Sequence, residues 1–86
     1  MSGYSVELRP KAVREIDRLQ PKIRESVLRR IYALAFDPRP HGSQKLVGGH
    51  ASYRVRVGDY RIIYAIDDVL RTVSVGTVGH RREVYR

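Results

Sequence analysis

The side chains in this 86-residue sequence that could act on a phosphodiester fall in two stretches near its C-terminus. Arg54, Arg56 and Arg61 lie in YRVRVGDYRIIY (53–64), and His80, Arg81, Arg82 and Tyr85 in the closing GHRREVYR. Guanidinium stays charged at any working pH and offers phosphate oxygens a planar fork of donors. Imidazole, with an unperturbed pKa of about 6.5, serves as acid or base at His80. The Tyr85 phenol, near 10 when unperturbed, serves as a base only if neighbouring arginines lower that value. Otherwise it is a stacking platform or a core residue. Cation, imidazole and phenol together match the needs of RNA cleavage by its own 2′-hydroxyl: proton removal, stabilisation of the phosphorane charge and protonation of the leaving oxygen. A plainer alternative has the arginines solvated, or paired with Asp59, Asp67, Asp68 or Glu83, and His80 as an ordinary surface residue.

Strands must place these groups. A two-residue turn at Gly58-Asp59 sets Val57 opposite Tyr60, Arg56 opposite Arg61, Val55 opposite Ile62, Arg54 opposite Ile63 and Tyr53 opposite Tyr64. Tyr53, Val55, Val57, Tyr60, Ile62 and Tyr64 then share a core face, and Arg54, Arg56 and Arg61 the other. Like charges directly opposite each other cost a few tenths to about 1 kcal/mol. An anionic partner on that face would offset the cost, and phosphate fits best.

The remaining chain supplies the support. YSVELR (4–9) alternates as a half-buried strand. Ala12, Val13, Ile16 and Leu19 recur at helical spacing from Lys11 to Gln20, and Pro21 closes that helix and opens a second. Ile23, Val27, Ile31 and Leu34 or Ala35 form the buried stripe of the second helix, with Lys22, Arg24, Arg29 and Arg30 opposite, most simply a solvated face. Asp37-Pro38 ends it. Residues 37–52 read as a long loop with a short strand at Lys45-Leu46-Val47, and Lys45 joins the candidate RNA-binding cations. Strands follow at Tyr53–Val57, Tyr60–Ile66 and Arg71–Val78, with Asp67-Asp68 as a turn and HRREVYR as a tail that could fold over the open face. The expected fold is α+β: an antiparallel sheet of about four strands in the order β-α-α-β-β-β, the two N-terminal helices on one face.

Length bounds the chain to one domain. The 17 Lys+Arg against 9 Asp+Glu give a net charge of +8, which points to an anionic partner. Residues 1–43 carry nine basic and five acidic side chains, and 44–86 eight and four, so the charge is no detachable tail. The longest apolar run, Ile31 to Phe36, is far short of a membrane span, which suggests a cytoplasmic protein. Lack of Cys excludes disulfides and thiolate metal sites. His41 and His50 have no partner at metal-ligand spacing and read as loop residues, so no metal or other cofactor is expected. Phosphate-loop, dinucleotide, zinc-protease and serine-hydrolase motifs are all missing.

YRVRVGDYRIIYAID with VGHRREVYR, after PKAVREIDRL and a second basic helix ending in DPRP and then KLVG, resembles the RelE branch of the RelE/ParE toxin superfamily over nearly the whole chain. The resemblance implies the toxin of a type II toxin–antitoxin module, which cleaves mRNA in the ribosomal A site through 2′-hydroxyl attack, leaving a 2′,3′-cyclic phosphate, without metal. It implies phosphate contacts from Arg61 and Arg81, a stacking or activating role for Tyr85, and an acidic, DNA-binding antitoxin that covers the basic surface. Arg54 and Arg56 stand where well-studied members have lysines. Arginine cannot give up its proton, so both are assigned with Lys45 and Arg82 to binding, leaving proton transfer to His80 or Tyr85. The runner-up is a ParE-like inhibitor of DNA gyrase. A third reading is a non-catalytic module on ribosomal RNA.

Overall fold

The computed structural model describes residues 3–48 and 51–80. Seven elements follow in order: β1 (Ser5–Leu8), α1 (Pro10–Asp17), α2 (Pro21–Ala33), β2 (Gln44–Lys45), β3 (Ser52–Val57), β4 (Tyr60–Asp67) and β5 (Thr72–His80). Each helix begins on proline, whose fixed φ suits the first turn and whose missing N–H has no partner to lose there. Arg24 from α2 joins the two helices, its guanidinium donating to the carbonyls of Ile16, Asp17 and Leu19 at the end of α1. The Ile16 carbonyl also accepts from the Leu19 N–H, so Arg24 adds to the capping of the α1 end.

Among the described residues the sheet has five strands in the order β1-β5-β4-β3-β2. It is α+β as expected, with two departures. Gln44–Lys45 adds a fifth strand on β3, and β1 runs parallel to β5, so the sheet is mixed. The parallel pairing follows from the helical hairpin, long enough to carry the chain over the sheet to its far edge.

The β3–β4 register agrees with that expected from the turn, pair by pair from Tyr53/Tyr64 to Val57/Tyr60. Gly58 at φ +59° supplies the positive φ that the first turn position of this hairpin needs. One face of the sheet buries Val55, Ile62, Tyr64, Ile66, Val73, Val75 and Val78 against Ala12 and Ile16 of α1 and Val27, Ile31 and Leu34 of α2.

β5 departs from simple alternation. Ile63 pairs with Thr77 but Tyr64 pairs with Val75, leaving Gly76 as an extra residue. An extra residue moves every later side chain to the opposite face. Val73 and Val75 before it and Val78 after it are therefore all in the core, which uninterrupted alternation could not achieve.

Candidate functional site

Arg54, Arg56 and Arg61 are brought to the sheet face that the helices leave open. Arg56 sits directly opposite Arg61, with Arg54 two residues along β3. Their immediate surroundings differ. The Arg54 guanidinium donates to the Gln44 side chain on β2, and Arg56 is exposed at the strand edge, bordering a groove with Arg29 and Arg30 of α2. Two of the carboxylates considered as arginine partners have other roles. Asp67 Oδ1 accepts from the Val69 and Leu70 N–H groups and so builds the β4–β5 turn. Asp68 pairs with Arg39.

Two expected site residues do not share the strand positions of these arginines. His80 is not in a tail past the last strand. It is the final residue of β5, opposite Tyr60, and the two rings meet edge to face at 5.6 Å. Both line a cavity of about 340 Å³ with Lys11, Glu15 and Arg18 of the α1 segment. The imidazole thus stands on the helix side of the sheet, whereas Gly79 is the residue paired with Arg61. The cause is the Gly76 bulge, which reverses the facing of the β5 residues beyond it. Lys45 is opposite Tyr53, and it is Gln44 that shares the position of Arg54. Arg81, Arg82, Tyr85 and His50 lie outside the described residues. His41 is exposed in the loop after α2.

Supporting residues come from distant parts of the chain. β1 stops at Leu8, so among the described residues the end of β5 has no strand on that side. Glu15 replaces one: its Oε1 accepts from the Val78 N–H at 2.8 Å and from the Thr77 hydroxyl at 2.8 Å. Lys11 reaches the same group, 3.2 Å from the Thr77 hydroxyl and 3.6 Å from the other Glu15 oxygen. α1 thereby holds the segment leading into Gly79 and His80.

A second set holds the loop that leads into β2. Arg39 grips Asp68 with both terminal nitrogens, at 3.2 and 2.8 Å, and its Nε donates to the Tyr53 hydroxyl at 3.0 Å. The Tyr4 hydroxyl donates to Asp68 at 2.6 Å. These bonds, the Arg39 ones foremost, hold the Asp68 carboxyl below its usual range, and the bond to Asp68 raises the Tyr4 phenol. Tyr53 stacks on Tyr64, whose buried hydroxyl donates to the Pro38 carbonyl at 2.8 Å. Burial pushes the Tyr64 phenol up to about 12.

Glu15, Gln44, Arg39, Asp68 and Tyr4 were not singled out as supports from the sequence. Lys11 and Glu15 show helical i, i+4 spacing, but nothing local ties Glu15 to Val78.

A family model for the ParE toxin of type II toxin–antitoxin systems matches residues 6–85. The chain belongs to the ParE toxin family. Toxin RelG of Mycobacterium tuberculosis is 32% identical to this toxin over 96% of its chain and 97% of RelG. Among solved structures, a chain of the M. tuberculosis toxin–antitoxin complex RelBE2 superposes with a TM-score of 0.80 at 31% identity, covering 92% of the toxin and 99% of that chain. The isolated E. coli RelE toxin gives 0.79 at 28% identity, covering 95% and 90%. RelE-like toxins of type II systems are therefore its kin in sequence and fold. Among the described residues, no helix of the toxin is long and apolar enough to cross a membrane.

Proposed function

We propose that the toxin is a ribosome-dependent endoribonuclease, cutting mRNA by attack of a ribose 2′-hydroxyl on the adjacent phosphate to leave a 2′,3′-cyclic phosphate and a 5′-hydroxyl. The observation that carries this reading is Arg56 opposite Arg61, with Arg54 beside them, on a face the helices leave uncovered. Such a cross-strand pairing of like charges is unfavourable by itself and becomes favourable once a phosphate lies between the strands. Arg61 contacts the scissile phosphate and stabilises its added charge; Arg54 and Arg56 bind the neighbouring backbone. Arg81 is assigned the second phosphate contact and Arg82 a binding role. Proton transfer falls to Tyr85, because His80 is across the sheet from the arginines.

Among the described residues few proton-transfer groups lie on this face, so orientation of the nucleotide by the ribosome supplies much of the rate, and bare RNA should be a poor substrate. A cognate antitoxin, acidic and DNA-binding, covers the basic surface. This is supported by the net charge of +8 and by the relative solved as a toxin–antitoxin complex. One domain and a cytoplasmic location complete the reading.

Programmed ribosomes incubated with wild type, Arg61→Ala, Tyr85→Ala and His80→Ala decide it. Cleavage should fall about 10²-fold or more on loss of a transition-state phosphate contact at Arg61, fall with Tyr85→Ala, and change little with His80→Ala. Uncut message with wild type would refute it. The match to a ParE family model keeps gyrase inhibition as a second reading, recognised by blocked supercoiling with intact mRNA.

A further inference from the structure

The open face continues past the arginines into a cavity of about 250 Å³ lined by Arg9, Ser52, Ile63, Ala65, Ser74 and Gly76. It is continuous with the candidate site: Ile63 is two residues from Arg61 on β4 and directly opposite Arg54 on β3. Strand rise puts about 7 Å between Arg61 and Ile63, and as much again to Ala65, so an unstacked nucleotide strand lying along β4 reaches the cavity within one or two nucleotides.

Arg9 makes the cavity more than a dip in the sheet. Its N–H donates to the Val75 carbonyl, which anchors the backbone where β1 passes into α1. Arg9 is exposed and lines the cavity, which extends as far as Ser52 on β3. Among the described residues its guanidinium takes no part in ion pairs such as those of Lys11 with Glu15, Arg29 with Glu25 and Arg39 with Asp68. The nearest carboxylate on its own strand, Glu7, accepts from the Ser74 hydroxyl at 3.2 Å.

From this we infer that the cavity is a subsite for the nucleotide next to the scissile one, its base lying on Ile63, Ala65 and Gly76 and its phosphate held by Arg9. The inference rests on the reading of the open face as an RNA site. It adds a cation from the opposite edge of the sheet, so that the RNA backbone is gripped from both sides. The Ser52 and Ser74 hydroxyls border the base and can hydrogen-bond its edge, which makes this subsite a source of base preference.

The test uses an RNA pentanucleotide fully 2′-O-methylated, which lacks the attacking hydroxyl and binds without being cut. In a titration followed by amide NMR of the isolated toxin, Ile63, Ala65, Ser74 and Gly76 should shift together with Arg54 and Arg61. Arg9→Ala should abolish the shifts at Ala65, Ser74 and Gly76, weaken binding several-fold, and lower the slope of log K against log salt by about 0.7. Gly76→Val narrows the cavity and should have the same local effect. A Cβ at Gly76 meets nothing nearer than the Ile63 carbonyl at 3.8 Å, so the fold accommodates it. Arg14→Ala, an exposed charge on α1, controls for general loss of charge. Absence of shifts at the cavity residues, or an Arg9→Ala variant that matches Arg14→Ala in affinity and slope, overturns the subsite. That result leaves the nuclease reading standing if wild type still cuts mRNA on ribosomes. Cavity shifts without cleavage support an RNA site and refute the nuclease.

Discussion

Removing Glu15 tests how the end of β5 is held. Its Oε1 takes two donors, the Val78 N–H and the Thr77 hydroxyl, both at 2.8 Å. Hydrogen bonds to a charged group contribute about 1.5–3 kcal/mol each, and the carboxylate is only 25% exposed, so water replaces it incompletely. Its contact with Lys11, at 3.6 Å and with Lys11 64% exposed, adds a few tenths of a kcal/mol. With both bonds at the low end of that range, because the carboxylate is partly exposed, Glu15→Ala should therefore cost about 3 kcal/mol, which for a chain of this size lowers Tm by roughly 12–24 °C. Glu15→Gln keeps a carbonyl acceptor and should recover at least half of the loss. Paired urea and thermal melts measure both variants. Amide exchange localises the effect: the Val78 N–H should exchange much faster in Glu15→Ala while Ile62, in the core on β4, and Val73, in the core near the other end of β5, follow only the global change. If Glu15→Ala melts within about 0.5 kcal/mol of wild type, or Gln is no better than Ala, the carboxylate does not hold the strand end and the reasoning fails.

Two further predictions concern the supports of the β2 loop. Tyr64→Phe leaves the buried Pro38 carbonyl without its donor and should cost about 1–3 kcal/mol. Because burial raises this phenol to about 12, its contribution is complete below the unfolded value of about 10 and is lost as pH rises from there through 12. Stability should fall over that window in wild type by more than in Tyr64→Phe, and equal slopes in alkaline urea melts would contradict this. Asp68 is shifted downward, so its contribution is present above the unfolded value of about 3.9 and lost as pH falls below it. Asp68→Asn should lower stability at neutral pH and flatten the acid limb of the stability curve. Acid titrations of Tm for the two proteins that run parallel below pH 4 would refute the assignment.

The clamp around Asp68 and the clamp at Glu15 share a design. Each joins a segment from the first half of the chain to a strand end or turn in the second: Tyr4 and Arg39 to Asp68, Glu15 to Val78. The arginine-bearing hairpin of β3 and β4 lies between them, so its margins are set by bonds made by other residues.

Local physics in the amino-acid order was enough for much of this. The Gly58-Asp59 turn sets the hairpin register because a two-residue loop admits one pairing, and that register alone puts Arg54, Arg56 and Arg61 on one face. The proline-initiated helices and their buried stripes follow from period and from the missing proline N–H. Tertiary structure decided where the margins go. β1 joins β5 in parallel at the far edge, a pairing between residues 67 apart such as Ser5 and Thr72 that no local pattern encodes. The Gly76 bulge sends His80 to the helix side; it arises because Val73, Val75 and Val78 must all reach one core, a demand made by the packed helices and not by β5 itself. Glu15 finds Val78, and Arg9 borders the open-face cavity, only once α1 has been laid along the end of a strand that its neighbour leaves unpaired.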